Sequence, residues 1–261
     1  MKKLLLATLS IGALTAGMAN AADLPRKAPT PVVARAACAQ FGGFYVGISG
    51  GGGYYSSTWN DRDAWSSENS DDLQRSNVRA DKWGAIAGGG AGYNWQRNCT
   101  VFGVEVDYSW TSLKTSAFET DGDTGINQDS LTITNKIRGL GTARTRAGIV
   151  VDDLLLYVTG GLAFANFKRS ATMTDLNTPQ SETFASSKTR LGWTAGFGTE
   201  WAITGNWSLK SEVLYAHFSK DEQTFTCTVF CGAPESKRFD HQDSVWISRV
   251  GLNYRWGAGR Y

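Results

Sequence analysis

The sequence predicts an all-β fold: eight antiparallel strands wound up-and-down into a transmembrane β-barrel. Three observations predict it. Apolar residues recur at every second position along much of the chain, short connections alternate with long polar ones, and an export leader is followed by no run of 18 apolar residues. Any membrane crossing therefore falls to strands, which place their apolar residues only on alternate positions. The composition fits: of 261 residues 41% are hydrophobic and 19% charged, with 30 Gly and 10 Trp. That is less apolar and less charged than a typical soluble domain, and richer in glycine. The formal charge is +2, and Lys2 and Lys3 supply it, so the chain beyond the leader is neutral. Neutrality argues against a nucleic-acid binder and against a disordered acidic chain.

Residues 1–21 read as a signal peptide. Lys2-Lys3 form the charged start, Leu4–Gly17 the apolar stretch, and Ala19-Asn20-Ala21 a small-x-small cleavage site before Ala22. Thr8, Ser10 and Thr15 interrupt the apolar stretch, which leaves it too short for a membrane anchor. Residues 22–40, with Pro25, Pro29 and Pro31, read as an extended periplasmic tail. Residues 41–261 are expected to form the barrel.

Within that region the period is two. In Val101–Trp110, Phe102, Val104, Val106, Tyr108 and Trp110 share one face, and Gly103, Glu105, Asp107 and Ser109 the other. A helix would scatter both sets around its circumference, whereas a strand separates them. Leu191, Trp193, Ala195, Phe197 and Trp201 oppose Arg190, Gly192, Thr194, Gly196 and Glu200 in the same way. So do Trp246, Val250, Leu252, Tyr254 and Trp256 against Arg249, Gly251, Asn253 and Arg255. The strands are expected at about 43–55, 82–95, 101–112, 135–150, 154–168, 188–202, 207–218 and 244–256. Short connections at 96–100, 151–153 and 203–206 alternate with four long ones at about 56–81, 113–134, 169–187 and 219–243. Periplasmic turns and longer extracellular loops follow this rule in outer-membrane barrels.

The inward face is charged. It is expected to hold Glu105, Asp107, Glu200 and Glu212 with Lys136, Arg138, Arg144, Arg146, Arg190, Lys210, Arg249 and Arg255. A soluble barrel with this interior would bury a dozen ions beneath an apolar exterior; in lipid the inversion is required. Level pairing places Glu105 and Asp107 beside Arg146 and Arg144, Glu200 beside Lys210, and Glu212 beside Arg249, as a luminal ion-pair network filling a narrow barrel. Gly84, Gly88, Gly90, Gly92, Gly192, Gly196 and Gly198 on the same face make room for the arginines. Trp83, Trp95, Trp110, Trp193, Trp201, Trp207, Trp246 and Trp256 fall near the expected strand ends, where aromatic belts meet the headgroups.

The chain also resembles the small alphaproteobacterial outer-membrane proteins of the opacity-type, porin-like β-barrel family. The resemblance rests on Ala22-Asp23-Leu24-Pro25 and on FGGFYVGISGGGGY at 41–54, AGYNWQ at 91–96 and FGVEVDYSW at 102–110. It continues through LLYVTGGLAFAN at 155–166, LGWTAGFGTEWAITGNWSLKSEVLY at 191–215 and SRVGLNYRW at 248–256. It implies an eight-stranded outer-membrane barrel with roles in envelope integrity and surface interaction with hosts or symbiotic partners and, in some members, pore-like or heme-binding behaviour. The family usually ends on an aromatic that finishes the last strand; here the strand pattern ends at Trp256 and Gly257–Arg260 intervene before Tyr261, a departure that leaves two candidates for that signal.

Four cysteines in an exported chain imply two disulfides. Of three pairings, topology favours Cys38–Cys99 on the periplasmic side and Cys227–Cys231 in the last long loop. Other chemistry is weakly supported. Asp121-x-Asp123-x-Gly125 with Asp129 lacks the closing Glu of a calcium loop. Cys227 and Cys231 have only His241 nearby as a further zinc ligand. His217 and Ser219 share a face with Asp221 or Glu222 near, as in an outer-membrane lipid hydrolase, but no oxyanion donor accompanies them. The expectation is a cell outer membrane protein with a structural and surface-interaction role and a side-chain-filled barrel. It is expected to be no enzyme and to need no cofactor or metal. The expected partners are outer-membrane lipids and lipopolysaccharide, the barrel-assembly machinery, and host or envelope proteins through the loops, with no nucleic acid. A narrow passive channel is the alternative, and a lipid A hydrolase a remote one.

Overall fold

A computed structural model describes residues 38–61, 77–120, 129–175, 181–227 and 235–256. The leader at 1–21, the tail up to residue 37 and Tyr261 lie outside them. The strands are β1 (Gly43–Asp61), β2 (Asn77–Arg97), β3 (Thr100–Thr111), β4 (Lys114–Thr120), β5 (Asp129–Val151), β6 (Leu154–Asp175), β7 (Ser181–Thr204), β8 (Trp207–Cys227) and β9 (Glu235–Trp256). Neighbours pair antiparallel in sequence order, β1 pairs with β9, and β3 pairs with β5, so the ring closes. β4 continues the line of β3 after a break at Ser112-Leu113, which makes a ring of eight staves. At the break Ser112 donates its N–H to the Ala85 carbonyl at 2.9 Å. Beyond Ile86, β2 is laddered to β1 alone.

Closure answers the chemistry of the solvent. Lipid offers no hydrogen bonds, so every backbone group must find a partner within the sheet, and a closed ring leaves no edge. The short turns are two residues long. Asn98, Asp152 and Gly205 take positive φ there, at 56°, 53° and 50°, as hairpin turns with matching twist require. Asn, Asp and Gly are the residues that adopt this conformation at least cost.

The outward face is apolar where the sequence alternates. Ile48 and Leu191 are 71% and 70% exposed, whereas Glu200 on the inward face is 0% exposed. Only a non-aqueous surround makes that inversion stable. Two belts of aromatics bound the apolar zone. Near the short turns lie Trp95, Trp201, Trp207 and Trp256, with Trp256 stacked on Phe44 at 5.4 Å and Trp207 edge-on to Tyr254 at 5.1 Å. At the other boundary lie Trp83, Trp110, Trp193 and Trp246, packed against Tyr54, Tyr108 and Tyr215 at 4.9–5.7 Å. The ten residue-to-residue steps from Trp246 to Trp256, tilted by about 40°, span roughly 25 Å, the height of an outer-membrane apolar band.

The strands run well past the second belt, and this corrects the expected boundaries. Strands of 19 to 24 residues form seven of the staves. Of the long connections, the described strands leave only 62–76, 121–128, 176–180 and 228–234 between them, outside the described residues. Trp83, Trp110, Trp193 and Trp246 consequently sit partway along their staves rather than at the ends. The extensions escaped notice because water lies outside them. Segments such as Leu131-Thr132-Ile133-Thr134-Asn135 and Ser170-Ala171-Thr172-Met173-Thr174 carry polar residues on the outer face. β-Branched content alone marks them as strand.

Candidate functional site: a filled lumen

The barrel interior is stacked in four layers. At the short-turn end, Cys38 is disulfide-bonded to Cys99 with Cα atoms 5.6 Å apart. The chain from Cys38 to Phe41 is held across the opening. Ala39 N–H donates to the Asp152 carbonyl at 2.9 Å, Phe41 N–H to Gln96 Oε1 at 2.5 Å, and Asn94 Nδ2 to the Phe41 carbonyl at 2.7 Å. Phe41 is fully buried on Val101, Val150 and Leu155. The Arg255 guanidinium lies 4.3 Å from the Phe41 ring centre and donates to the Gln40 carbonyl at 2.5 Å. Arg255 thus secures this floor instead of joining the ion cluster.

Above the floor, four carboxylates meet four cations. Arg144 reaches Glu105 at 2.5 Å, Glu212 at 2.9 Å and Asp107 at 3.0 Å. Arg249 bonds Glu212 at 2.7 Å and Asp107 at 2.9 Å, Lys210 bonds Glu105 at 2.8 Å, and Arg146 bonds Glu200 at 3.1 Å. Neutral donors complete the carboxylates: Tyr45 donates to Glu105 at 2.6 Å, Ser208 to Glu200 at 2.5 Å and Thr142 to Asp107 at 2.5 Å. Arg146 sits against the rings of Tyr45 and Tyr157, at 4.5 and 5.3 Å. Those rings occupy the space that a Cβ at Gly92 or Gly198 would take. The inward glycines therefore make room for tyrosines as much as for arginines.

Of the expected level pairings, Glu212 with Arg249 and Glu200 with Lys210 match the register, and the two on β3 and β5 do not. Glu105 stands opposite Arg144 and Asp107 opposite Thr142, two positions from the expected register. Glu200 and Lys210 are directly opposite, but the Lys210 ammonium goes across the lumen to Glu105. Arg138 is not luminal at all. A β-bulge between Ile137 and Gly139 inserts it as an extra residue, and it is exposed. The bulge also reverses the face of the strand beyond it, so Lys136 turns outward while Asn135 and Ile137 turn in.

The third layer is apolar, and the sequence reading missed it. Ile86, Leu113, Ile137, Leu140, Phe167, Leu214, Phe218, Val245 and Ile247 are buried together inside the ring. Phe167 and Phe218 meet edge to face at 5.2 Å. The cluster packs side chains across the lumen at this level.

A second polar cluster lies beyond it, centred on Asp243. Tyr55 and Ser57 donate to Asp243 Oδ1 at 2.6 and 2.8 Å, and Arg169 to Oδ2 at 2.7 Å. Arg190 also bonds Asp243 Oδ2 and donates to the Ser219 carbonyl. Arg190 therefore belongs here and not to the central cluster. His241 is buried on the same face of β9. Asp243 and His241 could have been found by continuing the inward odd positions of β9 backwards from Arg255.

His217 faces outward within the aromatic belt, with its ring 5.8 Å from that of Trp193, and the bulge between Phe218 and Asp221 breaks the strand pattern on which a shared face with Ser219 depended. The Cys231 partner expected for Cys227 and the Asp121–Gly125 segment lie outside the described residues.

Comparison with known proteins gives a consistent picture. The family model described as outer membrane protein beta-barrel domain matches residues 10–255. The 31 kDa outer-membrane immunogenic protein of Brucella melitensis is 35% identical over 263 residues, covering 98% of this chain and 100% of that protein. The 25 kDa outer-membrane immunogenic protein of Brucella abortus is 28% identical over 181 residues, 69% of this chain and 68% of that protein. A 22 kDa outer membrane protein of Rhizobium leguminosarum bv. viciae is 33% identical over 131 residues, half of each chain at 50% and 51%.

Proposed function

The chain belongs to the outer membrane protein β-barrel family, and from that premise we propose that it is a closed barrel with a structural and surface-interaction role. The observation that carries this reading is the occupied lumen: an apolar layer lies directly above a charge-balanced ion cluster. A solute would have to pass both, and the disulfide-held floor as well. The staves that continue beyond the second aromatic belt form the part presented outside the cell. They supply contacts for host or envelope proteins, while the short turns face the periplasm. Several relatives are named immunogenic, which supports a surface-displayed role for the corresponding hairpins here. Residues 1–21 act as the leader and 22–40 as the periplasmic tail in this reading. The barrel-assembly machinery inserts the chain, and catalysis has no part in its role.

The channel alternative makes the opposite forecast for a simple experiment. Purified protein inserted into a planar lipid bilayer is expected to give no unitary conductance steps. An Arg144→Ala variant is expected to stay silent too, because the apolar layer above the ion cluster is untouched. Reproducible steps from the wild-type chain would establish the channel and end the closed-barrel reading.

A further inference from the structure

On the outer wall beyond the second aromatic belt, the ladder sets three lysines side by side. Lys114 of β4 is directly opposite Lys136 of β5, which is directly opposite Lys168 of β6. All three lie on the outward face, and the bulge at Arg138 adds a fourth exposed cation just below them. Like charges opposite one another in a sheet, with Cβ atoms about 5 Å apart, destabilise it. Among the described residues no carboxylate is paired with any of the four. A row of this kind persists where something outside the protein neutralises it. The Arg138 bulge is a second, independent sign, since bulges re-aim side chains at functional positions.

Height identifies what that something is. Trp110 lies four residues below Lys114 on the same stave, and Phe164 four residues below Lys168. Four tilted residues rise roughly 10 Å, which carries the cations from the belt, where the rings meet the inner edge of the headgroups, to the outer part of the headgroup layer. Below the row, Leu162, Phe164 and Leu191 offer an apolar wall. Above it, Ser116, Thr134, Thr172 and Thr183 offer hydroxyls. The wall is thus ordered as a phosphorylated glycolipid is: acyl chains, phosphates, then sugar.

We propose that Lys114, Lys136, Lys168 and Arg138 form a docking site on the barrel wall for the phosphate groups of a glycolipid in the surrounding outer leaflet. Guanidinium and ammonium groups bind phosphate by charge-assisted hydrogen bonds. The site deepens the lipopolysaccharide partnership expected from the sequence and rests on the reading that the face below the row lies in lipid.

The test titrates the refolded full chain, in neutral detergent micelles, with lipid A carrying both phosphates. The expected result is one equivalent bound at least 10-fold more tightly than dephosphorylated lipid A. The Lys114→Gln/Lys136→Gln/Lys168→Gln variant, checked for folding by heat-modifiable gel mobility, is expected to lose the same factor. If that variant does not fold, Arg138→Gln, which lies off the ladder, is expected to weaken binding several-fold. Equal binding of phosphorylated and dephosphorylated lipid overturns the proposal, as does displacement by millimolar inorganic phosphate, which would mark a free-anion site. Quenching of tryptophan fluorescence by brominated-chain lipids keeps the two levels apart. Strong quenching with equal binding removes this site alone, whereas no quenching removes the membrane placement and the site together.

Discussion

Replacing Arg144 by leucine is expected to lower the free energy of unfolding by about 3–5 kcal/mol. Arg144 is the cation that Glu105, Asp107 and Glu212 share, at 2.5 to 3.0 Å. Its loss leaves four carboxylates with buried side chains facing three cations between the floor and the apolar layer. Leucine fills part of the volume but cannot neutralise the excess charge, so the penalty is that of stranded charge and not of lost contact area. The network character gives a sharper forecast. In the double variant Arg144→Leu/Glu212→Leu the balance returns, and the loss should fall well short of the sum of the two single effects. Urea unfolding from lipid vesicles, followed by tryptophan fluorescence, measures each. Single and double effects that simply add would mean that Arg144 and Glu212 do not stabilise one another.

Phe218→Ala is expected to cost a similar amount, about 3–5 kcal/mol, for a different reason. The ring is fully buried and meets Phe167 edge to face at 5.2 Å. The staves around it are hydrogen-bonded into a ring and cannot collapse inward, so most of the cavity should persist. Phe218→Leu, which keeps most of the volume, should lose less than half as much. Vesicle unfolding again supplies the measurement. A loss below about 1 kcal/mol for the alanine variant would show that the apolar layer is loosely packed and that the lumen is not sealed there.

How far the sequence reveals this architecture depends on what lies outside each strand. Within the membrane band, lipid on one side and ions on the other impose full contrast on alternate residues, so Phe102–Trp110 and Leu191–Trp201 are legible by period alone. Beyond the belt the contrast disappears. Thr132, Thr134 and Thr172 face water, and the inner face mixes Ile133 and Phe167 with Asn135 and Arg169. No simple period survives, so paired strand reads as loop.

The candidate site shows the same division. Glu200 and Lys210 flank one two-residue turn, and that turn together with the extra residue Ile203 between Ala202 and Thr204 sets them opposite each other. Glu105 and Arg144 belong to strands with no short turn between them, and the stagger of a tilted barrel offsets neighbouring strands by an amount that counting from other turns does not give. Arg138 fails for a local reason. One inserted residue reverses the alternation, and nothing in the surrounding composition marks it. The apolar layer is harder to see because period marks the apolar residues that face lipid, whereas Leu214, Phe218 and Ile247 stand on the opposite, otherwise charged face. The face of Leu214 and Ile247 follows from the parity of Glu212 and Arg249, two positions away, and Phe218 shares the parity of Glu212.

The central claim is that the apolar face of this cylinder meets lipid and that its upper staves stand in water. Nitroxide labels at single introduced cysteines test it directly, at Ile48, Val106, Leu191 and Val250 in the band and at Thr132 and Thr183 beyond it. In vesicles, collisions with oxygen should dominate at the first four sites and collisions with a water-soluble nickel chelate at the last two. A nickel chelate that reaches Ile48 and Leu191 as readily as Thr183 would contradict the account.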